Sequence, residues 1–439
     1  MRISTTLKSA TLGLLLALSN LSAPAWAGAT CQGLAATVTG TDNGETLSGT
    51  AGDDVIVARG GDDVIDAKGG HDLICAGDGN DIVSGRAGSD RIFGGTGNDT
   101  LTGHAGEDIL VGNDGDDQLF GGDSGDTLTG GADDDEIYGG EGTDFARYAT
   151  SPAAVEVDLT ALTATGEGTD SLSSIEGVFG SSKDDRLIGD QTNNFFVGGA
   201  GNDTVIGAGG DDSINGGDGN DTADYSTSPR AVTADLATKT ATGDGSDSFV
   251  SIETIIGSQF ADNLRGSDAA DTLRGGTGND RLSGGGADDT LDGGTGTDTA
   301  DFSRSTAGVN VNLGNRKAGG EGADTLLSVE NAIGSARADT LIGGGSGNTL
   351  RGNGGNDVLS GGGGSDGSDT LEGGTGSDTL RGGDAGDVLR GGDHADKLYG
   401  NAGRDTLRGG DGNDSLNGGS ESDLCRQDAG SGAKTSCER

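Results

Sequence analysis

A nine-residue frame, G-G-x-G-x-D-x-U-x with U an aliphatic residue, runs without a gap from Gly49 to Arg147. A strict short period of this kind means one small unit stacked on copies of itself, because a single unit has no face of its own to bury. The sixth position carries Asp54, Asp63, Asp72, Asp81, Asp90, Asp99, Asp108, Asp117, Asp126, Asp135 and Asp144. The eighth reads Ile56, Ile65, Ile74, Val83, Ile92, Leu101, Leu110, Leu119, Leu128, Ile137 and Ala146. Compositional drift does not hold two residue types in register over that distance.

The frame resumes at Gly180 with Asp185, Asn194, Asp203, Asp212 and Asp221, and at Gly257 with Asp262, Asp271, Asp280, Asp289 and Asp298. It returns at Gly334 with Asp339, Asn348, Asp357, Asp369, Asp378, Asp387, Asp396, Asp405, Asp414 and Asp423, around a three-residue insertion near Gly364-Ser365-Asp366. A second period of 77 residues relates Tyr148, Tyr225 and Phe302, and also Ile175-Glu176, Ile252-Glu253 and Val329-Glu330. Each longer unit holds an alternating stretch, such as Val155-Glu156-Val157-Asp158-Leu159 or Val309-Asn310-Val311-Asn312-Leu313, which predicts a half-buried strand. Each then returns to glycine-rich turns that add Asp170, Asp247 and Asp324 to the acidic set.

The organisation expected is a leader (1–27), an N-terminal cap (28–48), repeat blocks at 49–147, 180–224, 257–301 and 334–424, strand modules at 148–179, 225–256 and 302–333, and a C-terminal disulfide cap (425–439). The leader reads as a secretory signal: Arg2 and Lys8, an apolar run Leu12–Leu18, then Ala25-Trp26-Ala27 before the cleavage point. No other stretch is long and apolar enough to span a bilayer as a helix. Cys31, Cys75, Cys425 and Cys437 form one pair near each end, without a zinc-type spacing. Of the three pairings that four cysteines allow, the local ones, Cys31–Cys75 and Cys425–Cys437, are expected in an oxidising exterior.

Composition then raises a difficulty. Hydrophobic residues make up 31% of the chain, Gly numbers 92, and the formal charge is −45. Such a chain is ordinarily disordered, and it is a poor partner for nucleic acid or anionic lipid. A strict repeat or bound cations are the two ways out.

The repeat spacing points to both. Six turn residues and three extended ones form a half-coil, with U pointing inward and its neighbours outward. With eighteen residues per coil, Asp54 stacks on Asp72 and Asp63 on Asp81, giving two columns of carboxylates. Like charges about 5 Å apart repel by about 1 kcal/mol in water and by several near a protein surface, and a divalent cation reverses the sign. Carboxylates with turn carbonyls are hard oxygen ligands and suit Ca²⁺ better than Mg²⁺, while the lack of thiolate or imidazole clusters argues against transition metals. Ordering nine residues costs about 9–18 kcal/mol, and burying one Ile or Leu returns only about 1.5–3 kcal/mol. The expectation is therefore a disordered apo chain that folds as calcium binds.

Gly94-Gly95-Thr96-Gly97-Asn98-Asp99-Thr100-Leu101 and Gly409-Gly410-Asp411-Gly412-Asn413-Asp414-Ser415-Leu416 resemble the RTX, or hemolysin-type, calcium-binding nonapeptide. The resemblance covers most of the chain after Gly49. It implies an all-β, right-handed parallel β-roll with calcium at the turns, held by the sixth-position aspartates named above together with Asp170, Asp247 and Asp324. The 77-residue modules are similar to those accompanying RTX repeats in secreted proteases, alginate epimerases and adhesins. The N-terminal leader and the cysteines depart from the many RTX proteins that use a C-terminal export signal and lack cysteine, so the toxins' export route and activity do not carry over.

Several strings imitate active sites. Gly363-Gly364-Ser365-Asp366-Gly367 matches G-x-S-x-G, Gly362, Gly364 and Gly367 match G-x-G-x-x-G, and Gly122-Asp123-Ser124-Gly125 looks like a nucleophile loop. All arise from glycine turns without the strand-to-helix context such chemistry needs. His71, His104 and His394 fall at variable turn positions and form no triad pattern. Glu176, Glu253 and Glu330 read as capping or strand-edge residues, and Asn202-Asp203-Thr204 is a glycosylation pattern produced by the repeat. Three roles are in competition: a calcium-dependent extracellular structural or adhesive protein, a calcium reservoir or sensor, and an enzyme. The last is weakest, because 28–48 is too short for a catalytic domain. Calcium ions and an unidentified cell-surface or matrix ligand are the expected partners. The alternative is a non-catalytic relative of a secreted polysaccharide-modifying enzyme or hemolysin-type toxin.

Overall fold

The computed structural model describes residues 30–363, 367–428, 430 and 432–438. The expected leader and the insertion Gly364-Ser365-Asp366 lie outside them. The chain divides into two compact units, residues up to Gly219 and Asn220–Arg439. Among the described residues all regular structure is β-strand, and no helix is long and apolar enough to cross a membrane.

In the first unit the x-U-x triplets and the glycines after them form two parallel sheets. One contains Val55–Gly60, Leu73–Asp78, Arg91–Thr96, Ile109–Asp114 and Thr127–Ala132, the other Ile82–Ala87, Thr100–Ala105, Gln118–Asp123 and Glu136–Glu141. The register steps by one coil: Ile56 pairs with Ile74, Ile74 with Ile92, Leu101 with Leu119 and Leu119 with Ile137. Period-two alternation sends every U side chain inward, so the U column of each sheet is buried and supplies the core between the sheets. This is the expected parallel β-roll. It begins earlier than the repeat frame suggests. Val38–Thr39 already pairs with Val55–Gly60, and Thr46–Ser48 with Val64–Asp66, so the 28–48 cap contributes rungs of its own.

The second unit repeats the architecture. Leu282, Ala300, Ala332, Leu350, Leu371, Leu389 and Leu407 form one inner column, and Leu341, Leu359, Leu380, Leu398 and Leu416 line the facing sheet. Across the insertion the ladder advances by 21 residues, Asn348 to Asp369 and Asp357 to Asp378, and the inner column is undisturbed.

The 77-residue modules are three-stranded antiparallel meanders set into one sheet. In the first unit these strands are Glu156–Asp158, Thr163–Thr165 and Thr169–Ser173, and the last lies parallel on Glu136–Glu141 while the first lies parallel on Arg186–Ile188. Val155, Val157 and Leu159 are buried, as their alternation predicts. The two meanders of the second unit, Thr233–Val250 and Asn310–Leu327, lie in opposite sheets. Five nonapeptides separate them in the 257–301 block, an odd number of half-coils, so the second insertion falls on the other face.

Both disulfides pair as expected, Cys31–Cys75 and Cys425–Cys437. Cys31 brings the N-terminal segment onto the outer face, where it is buried with Val57, Leu73, Cys75, Phe93 and Val111. That cluster covers apolar outward positions that an exposed sheet would leave in water.

Replacing Leu119, wholly buried in the inner column, by Ala is expected to cost about 2–5 kcal/mol, whereas Gln118→Ala, on the outward side of the same strand, should change stability by under about 0.5 kcal/mol. Denaturant titration at saturating calcium reads both.

Candidate calcium-binding turns

The sixth-position aspartates stack in the two columns that the eighteen-residue coil implies, and all of them are buried. They do not meet carboxylate to carboxylate. The backbone N–H of each donates to Oδ1 of the aspartate one coil further on: Asp54 to Asp72, Asp72 to Asp90, Asp90 to Asp108, Asp108 to Asp126 and Asp126 to Asp144, at 2.7–2.8 Å. The other edge runs Asp63, Asp81, Asp99, Asp117 and Asp135 in the same way. In the second unit the ladder includes Asp262–Asp280–Asp298, Asp271–Asp289, Asp339–Asp357–Asp378–Asp396–Asp414 and Asp369–Asp387–Asp405–Asp423.

The second carboxylate oxygen behaves differently. Oδ2 is buried without a protein hydrogen-bond partner in Asp63, Asp72, Asp81, Asp90, Asp99, Asp108, Asp117, Asp126, Asp135 and Asp144, in Asp280, Asp289 and Asp298, and in Asp357, Asp378, Asp387, Asp396, Asp405, Asp414 and Asp423. Buried carboxylate oxygens left this way are costly and rare in folded proteins. Their repetition along both edges marks a position that a hard cation would satisfy.

The glycine at position one shapes the space beside that oxygen. A Cβ on Gly94 would strike Asp99 Oδ2 and come 2.9 Å from the carbonyl oxygen of Gly112 one coil on, and Gly103 stands in the same relation to Asp108 and Gly121. The absent side chain therefore keeps open a cradle lined by a carboxylate oxygen and a main-chain carbonyl. Among the described residues no three His, Cys, Asp or Glu side chains converge on one point, so each cradle relies on one carboxylate and on backbone oxygen. That donor set is hard and flexible, and it fits calcium.

Burial is the largest influence on these groups: it pushes Asp99, Asp126 and Asp135 up to about 8 and Asp117, Asp289, Asp357 and Asp396 up to about 7, with neighbouring carboxylates adding to it and the donated backbone N–H opposing it.

Several of the remaining expected ligands have protein donors on Oδ2. Asp170 Oδ2 accepts from the Tyr148 hydroxyl at 2.9 Å and Asp247 Oδ2 from Tyr225 at 2.7 Å, while Phe302 replaces the tyrosine beside Asp324 in the third module. Asp54, Asp185, Asp262, Asp271 and Asp339 accept the N–H of the residue four positions back on Oδ2, at 2.5–2.6 Å. Asp203, Asp212 and Asp221 are buried in the columns of their block. Glu176, Glu253 and Glu330 cap the ladder where a module interrupts it, accepting the N–H of Asp144, Asp221 and Asp298. Sequence reasoning did not give the tyrosines a role and missed Glu45, which takes a sixth position in a frame starting at Gly40, accepts the Thr41 N–H of its own turn and opens the Asp63-side ladder by donating its N–H to Asp63 Oδ1 at 2.8 Å. The decoy at Gly122–Gly125 is a repeat turn, with Ser124 at φ 86° and Asp126 in the ladder.

Fold and site together define a β-roll whose turns present columns of buried carboxylates. The sequence profile of the RTX calcium-binding nonapeptide repeat (4 copies) matches residues 39–74, 76–110, 111–146, 178–205, 188–223, 251–274, 265–300, 333–367, 364–393 and 390–425. The chain belongs to that RTX repeat family. No curated protein matches it. Among solved structures, the extracellular lipase LipA from Serratia marcescens is similar at 18% identity over 60% of this chain and 43% of the lipase, with a TM-score of 0.17, too low to bear on fold or function. This chain therefore spans less than half of the lipase's length.

A carboxyl whose folded pKa lies above its unfolded value, about 3.9, stabilises the fold fully below that unfolded value and loses the effect as pH rises through the folded one. Without calcium, the β-roll should thus be most stable in acid and weaken as pH climbs through about 6 to 8. Circular dichroism during a calcium-free pH titration checks this; a β signal that grows with rising pH contradicts it.

Proposed function

We propose that this is a secreted protein whose repeats fold on binding calcium and whose role outside the cell is structural or adhesive, without catalysis. The observation that carries the reading is the double column of buried Asp Oδ2 atoms lacking a protein donor, most of them beside a glycine-lined carbonyl. Calcium bound there would neutralise the stacked charge and cross-link successive coils. Asp99, Asp117 and Asp135 would hold it along one edge of the first unit, and Asp72, Asp90, Asp108 and Asp126 along the other.

Export is supported by the leader pattern at Arg2–Ala27 and by two disulfides, which persist in oxidising compartments. The same ion supplies a regulatory logic. Cytosolic calcium is scarce and external calcium is not, so the acidic chain would stay unfolded before export and harden afterwards.

Calorimetry and circular dichroism with added Ca²⁺ test the reading. A saturable heat and a rising β signal are expected, and the absence of both at millimolar calcium rejects it. Replacing Asp99, Asp117 and Asp135 together by Asn should raise the calcium midpoint by about tenfold or more, ~1.4 kcal/mol, and leave the apo spectrum unchanged. An adhesive role adds one further result: chelator should release the protein from its native surface or matrix, and restored calcium should return it.

A further inference from the structure

The second residue of each nonapeptide separates the turns into two kinds. In Asp63 through Asp144 it sits in the left-handed region: Arg59 at φ 84°, Lys68 at 77°, Gly77 at 128°, Arg86 at 83°, His104 at 78° and Asn113 at 84°. Long side chains avoid that region unless the surroundings impose it. In most of these turns the cause is visible, because the second and third residues continue the parallel ladder, with Gly77 paired to Gly95 and Gly95 to Asn113. Engaged in this way, they leave Asp Oδ2 without a donor.

In the other kind the second residue is Thr50, Ser181, Ser258, Ser267 or Ser335, and none of these has a positive φ. Its N–H folds back onto the Oδ2 of its own turn. The serine hydroxyl also donates to the same carboxylate, from Ser181 to Asp185 at 2.8 Å, Ser258 to Asp262 at 2.7 Å and Ser335 to Asp339 at 2.8 Å. A third donor comes from the meander: the N–H groups of Val155, Val232 and Val309 reach Oδ1 of Asp185, Asp262 and Asp339. Three protein donors thus surround each of these carboxylates.

The closed turns are not scattered. Each of the three blocks that follow a module opens with one on either edge: Asp185 and Asn194, Asp262 and Asp271, Asp339 and Asn348. Two of these six carry Asn, whose side-chain oxygen accepts the Asp190 or Gly344 N–H and brings no charge.

We infer that the backbone conformation of the nonapeptide's second residue decides which turns take calcium, and that each block after a module starts on two turns closed by protein donors instead of the ion. This rests on the calcium reading above and divides its sites: the aspartates with a left-handed second residue are ligands, while Asp185, Asp262, Asp271 and Asp339 are internal hydrogen-bond hubs. The meander and its closed turns then form a calcium-free footing on which the calcium-dependent coils stack.

Equilibrium dialysis of the full chain against Ca²⁺ alone tests the division. Asp185→Asn, Asp262→Asn and Asp339→Asn combined should bind as many ions as the parent, whereas Asp99→Asn, Asp117→Asn and Asp280→Asn combined should bind about three fewer. Equal losses in the two sets overturn the inference, and a parent chain that binds no calcium overturns the earlier reading instead. Should the first set fail to fold, Ser181→Gly, Ser258→Gly and Ser335→Gly leave the carboxylates in place and free the second residue to turn left-handed. Their bound calcium should rise above the parent's, and an unchanged count overturns the inference.

Discussion

The structure depends on how stacked aspartates dispose of their charge. A coil of eighteen residues places a carboxylate directly over the next, which is repulsive in any medium and most of all where water is excluded. The chain answers half of the difficulty from its own backbone. Most of the carboxylates spend Oδ1 on the N–H of the aspartate one coil away, so the residue that creates the repulsion also supplies a donor against it. The other oxygen has no such answer in most turns, and there a bound cation would complete what the backbone begins. Inward Leu and Ile columns, the glycine at position one and the parallel register all serve that stacking.

Much of this was legible in the sequence because the constraint is local and repeated. The sixth and eighth positions identify the carboxylate columns and the inner column residue by residue, and the two cysteine pairs lie close enough in sequence to match their partners. The modules were legible only as strands. Their alternation shows Val155, Val157 and Leu159 facing inward, yet it does not show that the strand skips ahead to Arg186–Ile188 and that two antiparallel strands return to fill the gap. That choice rests on long-range pairing, which periodicity does not encode.

The difference between closed and ladder-paired turns was hidden for another reason. Serine and glycine at the second position look like ordinary variation in a low-complexity turn, and so do Arg59, Lys68 and His104. What separates them is backbone conformation, and that is decided by the coil beneath. The first rung was missed because Glu45 stands where Asp stands elsewhere, and one longer side chain was enough to mask the frame.

The alternation of the meanders between sheets has a consequence for how such chains diversify. Each nonapeptide added or removed between two modules turns everything beyond it through half a coil, so one repeat moves a decoration from one face to the other and two repeats restore it. Repeat number in this architecture therefore works as a parity setting. Lengthening by nine residues reverses the side on which the next meander projects, and lengthening by eighteen only moves it further along.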